Sequence, residues 1–450
     1  MPNYPQLLAG KQLLLDELPL TEAEISTLQE TNQLQFKEAI SKKTFHYQCK
    51  RCGNTKQHLF ATIPCARCNQ THHYCRNCIT TGRVLFCETL SVWIGQAPDW
   101  PHQEQPCHWE GTLTKAQRQA AEKLQAVVRA ANQEILCWAV CGAGKTEMLF
   151  PAITTAIHEQ MRICLATPRA DVVRELYPRL KQAFPHTEIE ALYGGTEDAT
   201  GIGQLVIATT HQLIRYSEAF DVMIIDEIDA FPYHHDKTLH YFAHKAAKKD
   251  AANIYLTATP RPKERRKIEM NKLPAVFVPI RFHGHPLPVP KLMLEWNLRR
   301  KLQNAQLPKK LKRYVETRTI YRQLLIFVST INLLEPVASC CRVFFPKLET
   351  VYAEDPDRKE KVEAFRAKEY DLLITTTILE RGVTFPSIDV VILDAGHTVF
   401  DEAALVQIAG RAGRSPKDPT GDVLFIHQGK TEAMVQAIRQ INQMNKKGRE

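Results

Sequence analysis

Two stretches decide the fold. Residues 134–146 read Glu134-Ile-Leu-Cys-Trp-Ala-Val-Cys-Gly-Ala-Gly-Lys-Thr146, and residues 220–229 read Phe220-Asp-Val-Met-Ile-Ile-Asp-Glu-Ile-Asp229. The first is a β-like apolar run that breaks at glycines and resumes as a helix-like segment, EMLFPAITTAIHEQ. Such a loop cradles phosphate. Its glycines let backbone N–H groups curl around a β-phosphate, its Lys neutralises β/γ charge, and its Ser/Thr holds Mg²⁺. Gly142, Ala143, Gly144, Lys145 and Thr146 fill those places, with Ala139 where the strict pattern has Gly. In the second stretch Asp226 ends an apolar strand, where its carboxylate reaches a Mg²⁺-bound water, and Glu227 stands beside it to polarise the attacking water. An acidic pair after a strand is ordinarily a solvated strand end; downstream of a phosphate loop the catalytic reading prevails.

Working outward, Leu113 to Asn132 is rich in Ala, Gln and Lys, with apolar residues at helical spacing. Short Ile/Val/Leu runs then recur between helical stretches: RICLAT, QLVIATT, DVMIIDE and NIYLTAT. After a Pro-rich passage, HGHPLPVPKL at 283–292, the pattern restarts with QLLIFVST, YDLLITTT, DVVILDAG and GDVLFI. Such runs predict parallel sheets buried on both faces, and two successive sets predict two α/β domains in tandem. The expected division is an N-terminal segment (1–48), a cysteine module (49–110), a first ATPase domain (111–282) and a second domain (283–450).

A chain of 450 residues with 44% apolar and 24% charged residues is ordinary for a soluble globular protein, which excludes largely disordered, collagen-like or membrane-embedded chains. The apolar run Leu324 to Leu334 is too short to span a bilayer and holds Ser329, Thr330 and Asn332. The amino terminus has acids close behind its apolar residues and no small-residue cleavage site, so it does not read as a secretory signal. A cytosolic location is expected, with any membrane contact peripheral. The net charge of +9 is concentrated at the front. Between Ser41 and Leu90 stand Lys42, Lys43, Lys50, Arg51, Lys56, Arg67, Arg76 and Arg83 against Glu88 alone. A compact basic module favours a polyanion, nucleic acid before anionic lipid; the competing reading is a solvated surface.

Of thirteen cysteines, six form three pairs: Cys49/Cys52, Cys65/Cys68 and Cys75/Cys78. Cytosolic redox poise argues against disulfides. Two-residue spacing turns both thiolates toward one metal, and two pairs complete a tetrahedral Zn²⁺ shell. One ion on Cys49, Cys52, Cys75 and Cys78 is the simplest arrangement. Cys65/Cys68 could instead close that site, or a second site could recruit His72 or His73. The scattered cysteines, Cys87 among them, are expected in cores. The front module is expected to depend on its metal and the motor on its own cores.

Ala139–Thr146, Asp226-Glu-Ile-Asp229, Thr257-Ala-Thr259 and Gln407-Ile-Ala-Gly-Arg-Ala-Gly-Arg414 resemble, in order and spacing, the motifs of superfamily 2 helicases and translocases. The resemblance covers about residues 111–450 and implies two RecA-like domains with ATP bound between them. It implies that Gln117, just past Leu113-Thr114, reads adenine. It also implies strand-binding segments at Thr167-Pro-Arg169 and Thr209-Thr210-His211, with counterparts at Phe327-Val-Ser-Thr330 and Thr375-Thr376 through Gly382, and arginine fingers at Arg411 and Arg414. A basic helix face would not need Gly410 and Gly413.

The multi-cysteine module ahead of the motor, with Tyr74-Cys-Arg-Asn-Cys-Ile, Gly82-Arg83 and the opening LLAGKQLLLDEL, resembles the ComFA family of late competence ATPases. The third CxxC pair departs from a simple four-cysteine module. The resemblance implies an ATP-driven single-stranded DNA motor at the cytosolic face of the membrane, acting with other DNA-uptake proteins. The alternatives are a primosomal replication-restart helicase, which would carry its cysteine pairs inside the second motor domain, and a nucleotide-gated zinc adaptor that binds without translocating.

Overall fold

The computed structural model describes residues 3–44, 46–195, 202–318 and 322–449. In the first domain, seven parallel strands lie in the order Ile189–Leu192, Leu205–Thr209, Ile163–Thr167, Phe220–Ile225, Ala247–Thr257, Glu134–Ala139 and Ala275–Val278. The second domain has six, in the order Lys291–Leu294, Val423–His427, Ile388–Leu393, Gln323–Phe327, Leu372–Thr375 and Leu348–Val351. These are the two tandem parallel-sheet domains the apolar runs predict.

Strand alternation divides each sheet's residues between two apolar layers. On one face of the first sheet Ile163, Leu165, Ile207, Val222 and Ile224 meet Leu124, Val128, Ile153 and Leu176. Those last four belong to the helices Lys115–Ala130, Lys145–His158 and Ala170–Ala183. On the other face Cys164, Ala166, Val206, Ala208, Met223 and Ile225 meet Phe242 and Ala243 of the helix Lys237–Ala246. That second layer continues into the front of the chain: Leu14, Ala39, Ile40, Cys49, Cys52, Cys75, Cys78, Val84 and Leu90 belong to it. The front module therefore shares an apolar layer with one face of the motor's first sheet, and it meets the helix Lys237–Ala246 directly: a Cβ on Gly53 would lie 2.8 Å from the Tyr241 ring. The expectation that module and motor have separate cores is corrected accordingly: the buried cysteines and their apolar neighbours join the layer that holds Phe242, Ala243 and the sheet residues, so the two units share one continuous core.

The expected boundary at 48/49 falls inside the strand Tyr47–Cys49. Leu34–Glu38 pairs antiparallel with Thr89–Trp93, which ties the first segment to the cysteine segment. Backbone bonds Gln12 N to Arg215 O (2.7 Å) and Ser217 N to Gly10 O (2.9 Å) fasten this unit to the first domain. Among the described residues, no helix is long and apolar enough to cross a membrane.

The two motor domains meet closely. Arg265 makes two hydrogen bonds to Glu402, at 2.9 and 2.8 Å, Arg261 donates to Asp401 at 2.6 Å, and Gln440 Nε2 donates to the Ala258 carbonyl at 2.9 Å. Closest is Gly410, where a Cβ would lie 2.5 Å from Cys141 Cβ. Its backbone is helical, so alanine is locally acceptable and only the approach of the first domain forbids it. Gly410→Ala should leave far-UV circular dichroism unchanged while weakening interdomain closure by about 1–3 kcal/mol, the usual cost of overpacking. Small-angle scattering should then report a larger radius of gyration than for the parent chain; identical curves would refute the contact.

Candidate active site and metal centre

The loop after Glu134–Ala139 turns at Gly142 (φ +81°) and Gly144 (φ +71°), a left-handed backbone that favours glycine. Gly144 caps the helix Lys145–His158, so N–H groups and the positive end of that helix face the loop. A Cβ on Gly144 would also strike Gln117 Nε2 at 2.4 Å. Gln117 Nε2 donates to the Ala143 carbonyl at 2.8 Å, and its Oε1 accepts from Thr114 N at 2.8 Å. Its role in this geometry is to brace the loop and cap its own helix.

Lys145 Nζ lies 3.6 Å from Asp226 Oδ1. Burial opposes the Lys145 charge, but Asp226 and then Glu227 outweigh it and hold the ammonium above its ordinary range. Burial raises Asp226, with Lys145 pulling the other way. Glu227 has φ +56°, a strained conformation for a residue other than glycine, and its N–H donates to Asp226 Oδ1 at 2.8 Å.

Opposite them stand Gly382, Arg411 and Arg414 of the second domain, and all of these residues line one interdomain cleft of about 480 Å³. The Arg411 side chain is buried, with its Nε donating to the Glu380 carbonyl at 3.0 Å. Burial and then the charge of Arg414 push it down to about 9. Arg414 donates to Thr384 Oγ1 at 3.1 Å and to the Gly410 carbonyl at 3.1 Å. Gln407 Oε1 accepts from Cys141 Sγ at 2.9 Å, while its buried Nε2 has no partner among the described residues. Buried donors converging on an open space suit a polyanionic ligand such as a nucleotide triphosphate. Thr146 and Asp226, on the same wall as Lys145, supply the hydroxyl and carboxylate oxygens that Mg²⁺ takes.

Three residues at this site escaped the sequence reading. Arg381, nearly fully buried, donates to Asp229 Oδ2 at 2.5 Å and lies 3.7 Å from Glu227 Oε2. Asp229 also accepts from Thr257 Oγ1 at 2.6 Å and from Thr259 Oγ1. Burial works against the Asp229 charge, yet Arg381 and these hydroxyls hold its carboxyl well below the usual range. Arg281, fully buried, lies against Gly142 and donates to the Gly413 carbonyl; Phe282 N donates to the Gly142 carbonyl at 3.0 Å and its ring lines the cleft. The one available signal was Arg381's place directly before Gly382 in the strand-binding segment that begins at Thr375.

The residues expected to touch nucleic acid stand at C-terminal strand ends. Thr167 ends Ile163–Thr167 and Thr210 follows Leu205–Thr209, on adjacent strands. Thr330 and Thr376 follow Gln323–Phe327 and Leu372–Thr375, also adjacent. His211 and Thr330 are exposed, Thr167 and Thr210 are buried, and Arg169 donates across the domains to the Ile378 carbonyl at 2.9 Å.

In the front module Cys49, Cys52, Cys75 and Cys78 gather, all buried, with every Sγ within 4.8 Å of the others. The Cys49–Cys78 and Cys52–Cys75 sulfurs are 3.8 and 3.6 Å apart. Tetrahedral Zn²⁺ with bonds of about 2.3 Å would set them about 3.8 Å apart. Four thiolates on Zn²⁺ leave a double negative charge, and a buried arginine and a half-buried lysine adjoin them. Arg51, fully buried, donates to Glu17 at 2.6 Å, and its Nε and one NH have no partner among the described residues. Lys245 Nζ donates to the carbonyls of Arg51 and Ile214, each at 2.9 Å. Burial and then Arg51 push Lys245 down to about 8, against the pull of Cys49, Cys52 and Cys78. The donor set suits zinc.

Arg51, counted with the polyanion-facing charges, is thus turned inward; Lys42, Lys43, Lys56, Arg76 and Arg83 are exposed. Cys65 and Cys68 do not join the first cluster. They gather instead with Cys87, which is exposed rather than in a core because its turn, Leu85 to Glu88, lies at the module's edge.

Comparison with known proteins accords with this geometry. Residues 1–92 match the family described as the competence protein ComFA N-terminal domain, 110–262 the type III restriction enzyme res subunit, and 306–416 the helicase conserved C-terminal domain. The competence protein ComFA of Bacillus subtilis is 42% identical over 98% of this chain and 94% of its own length. That of Streptococcus pneumoniae is 41% identical over 85% and 90%. S. cerevisiae Dbp5 bound to RNA and ADP BeF3 shares the fold, with a TM-score of 0.53 at 16% identity over 74% of this chain and 88% of that one. Mycobacterium smegmatis Lhr bound to ssDNA and AMP-PNP gives 0.50 at 16% identity over 75% and 50%. The chain belongs to the ComFA family and is an ATP-hydrolysing, helicase-like enzyme.

Proposed function

We propose that this enzyme is an ATP-driven translocase on single-stranded DNA that serves the import of transforming DNA, with other DNA-uptake proteins as partners at the cytosolic face of the membrane. The observation that carries the reading is the cleft: Lys145, Thr146, Asp226 and Glu227 on one wall, Arg411 and Arg414 on the other. In the mechanism we infer, the loop N–H groups and Lys145 Nζ hold the β- and γ-phosphates. Mg²⁺, held by Thr146 and Asp226, supplies neutralisation of phosphate charge. Glu227 accepts the proton of the attacking water. Arg411 and Arg414 reach across to stabilise charge on the transferring phosphoryl.

Arg381 is the coupling element. It links Asp229, and through it Thr257 and Thr259, to the segment leading from the strand end at Thr375. Loss of the γ-phosphate removes the charge that Arg411 and Arg414 face, so closure weakens and nucleic acid is handed from one domain's strand ends to the other's. Zinc on Cys49, Cys52, Cys75 and Cys78 shapes the module that carries the exposed basic residues.

ATP turnover should rise most with single-stranded DNA, less with duplex DNA and least with RNA; a larger response to RNA would overturn the substrate assignment. Lys145→Ala should fold yet lose nearly all stimulated turnover, and Glu227→Gln should bind ATP without hydrolysing it. Arg411→Ala should cut turnover by a factor on the order of 10³ with a smaller loss of nucleotide affinity. An effect confined to affinity would make Arg411 a ground-state contact only.

The zinc assignment predicts that Cys52→Ser or Cys78→Ser releases metal. Because these cysteines share a core with the first sheet, thermal unfolding of the motor should fall too, and single-stranded DNA affinity, itself salt-sensitive, should drop. Zinc content equal to that of the parent chain in both variants would sink the ligand set.

A further inference from the structure

Three thiols and an imidazole outside the first cysteine cluster meet at the edge of the front module. Cys65, Cys68 and Cys87 have all three sulfurs within 4.8 Å of one another, with Cys65 and Cys87 3.7 Å apart. His72 Nε2 lies 3.0 Å from Cys68 Sγ. We propose that Cys65, Cys68, His72 and Cys87 bind a second Zn²⁺, so that the module carries two metal centres.

The backbone around Cys65 repeats that of the first cluster. In Cys49-Lys-Arg-Cys52-Gly53 the Gly53 N–H donates to the Cys49 carbonyl at 2.9 Å and Gly53 has φ +73°. In Cys65-Ala-Arg-Cys68-Asn69 the Asn69 N–H donates to the Cys65 carbonyl, also at 2.9 Å, and Asn69 has φ +54°. Asn is the residue besides glycine that best tolerates this conformation. The same turn presents two thiols to one point in both places, and the N–H groups of Arg67 and Cys68 are directed at the Cys65 sulfur.

The third thiol arrives by the sheet. Phe60–Pro64, Thr71–Cys75 and Val84–Leu85 form an antiparallel sheet whose last strand leads to Cys87. Phe86 N donates to the His73 carbonyl at 2.8 Å, and its ring stacks over His72 with centroids 6.4 Å apart. His72 and His73 point to opposite faces of their strand. His73 meets Tyr47 at 4.3 Å, which leaves His72 on the cysteine side. Three thiolates and one neutral imidazole are a common closed Zn²⁺ shell, and a sulfur separation near 3.7 Å is what zinc–sulfur bonds of about 2.3 Å require. Two of the thiols are solvent-exposed, which gives this ion an entry path the first cluster lacks.

Metal content of the full chain, purified under reducing conditions, tests the assignment independently of the first cluster. Two zinc ions per chain are expected, falling to one in Cys87→Ser, with the remaining ion showing that the module is still folded. Cobalt substitution should show the thiolate charge-transfer band losing the share of three sulfurs in Cys87→Ser. His72→Ala should surrender one ion to a chelator faster than the parent chain. One zinc in the parent chain with no change in Cys87→Ser would overturn the proposal, as would a Cys65–Cys87 disulfide found by thiol titration. Unaltered chelator resistance in His72→Ala would remove His72 from the shell.

Discussion

A guanidinium withdrawn from water between two domains has to be met by carboxylates, and the burial of Arg381 against Asp229 organises this molecule around that requirement. The arginine belongs to the second domain and the aspartate to the first, so the pair is satisfied only when the domains are together. Breaking such a pair by removing one partner costs about 3–5 kcal/mol. Asp229 in turn holds Thr257 and Thr259, and Arg381 lies within 3.7 Å of Glu227. One ion pair therefore joins the carboxylate that would activate water, the hydroxyls of the first domain and the backbone that leads to Gly382.

The cations nearest the cleft are handled oppositely. Among the described residues Arg411 meets no carboxylate and donates to a backbone carbonyl, while Arg414 meets a hydroxyl and a carbonyl. Arg381 is compensated and ties the closed state together; Arg411 is uncompensated and suits an anionic ligand that comes and goes. The same chemistry, placed with and without a carboxylate, separates a structural cation from a responsive one.

The front module follows a parallel logic. The first sheet needs apolar cover on both faces, and the layer on one of them runs on through Ile40, Val84, Leu90 and the four clustered cysteines. A metal shell there would be part of the motor's packing. Buried Arg51 from the module and half-buried Lys245 from the motor would neutralise the shell's charge from both sides of the junction. This explains why a module so rich in basic residues turns one of them inward.

What could be read from the sequence was local: a phosphate loop, a strand ending in acids, cysteines two residues apart. Each of these is fixed by geometry within a few residues, so spacing alone identifies it, and strand periodicity identifies the two parallel sheets. The residues that escaped are those whose meaning depends on distant partners. Arg381 is unremarkable until Asp229, about 150 residues earlier in the chain, is placed against it. Arg51 looked like surface charge because periodicity does not say which way a residue in an irregular turn will face. Cys87 looked like a core residue because it has no neighbour in sequence, and its neighbours in space come from a hairpin that only pairing brings round. The shared core of module and motor was hidden for the same reason: a sheet's second face records in its own sequence that it is buried, but not which neighbours continue its layer.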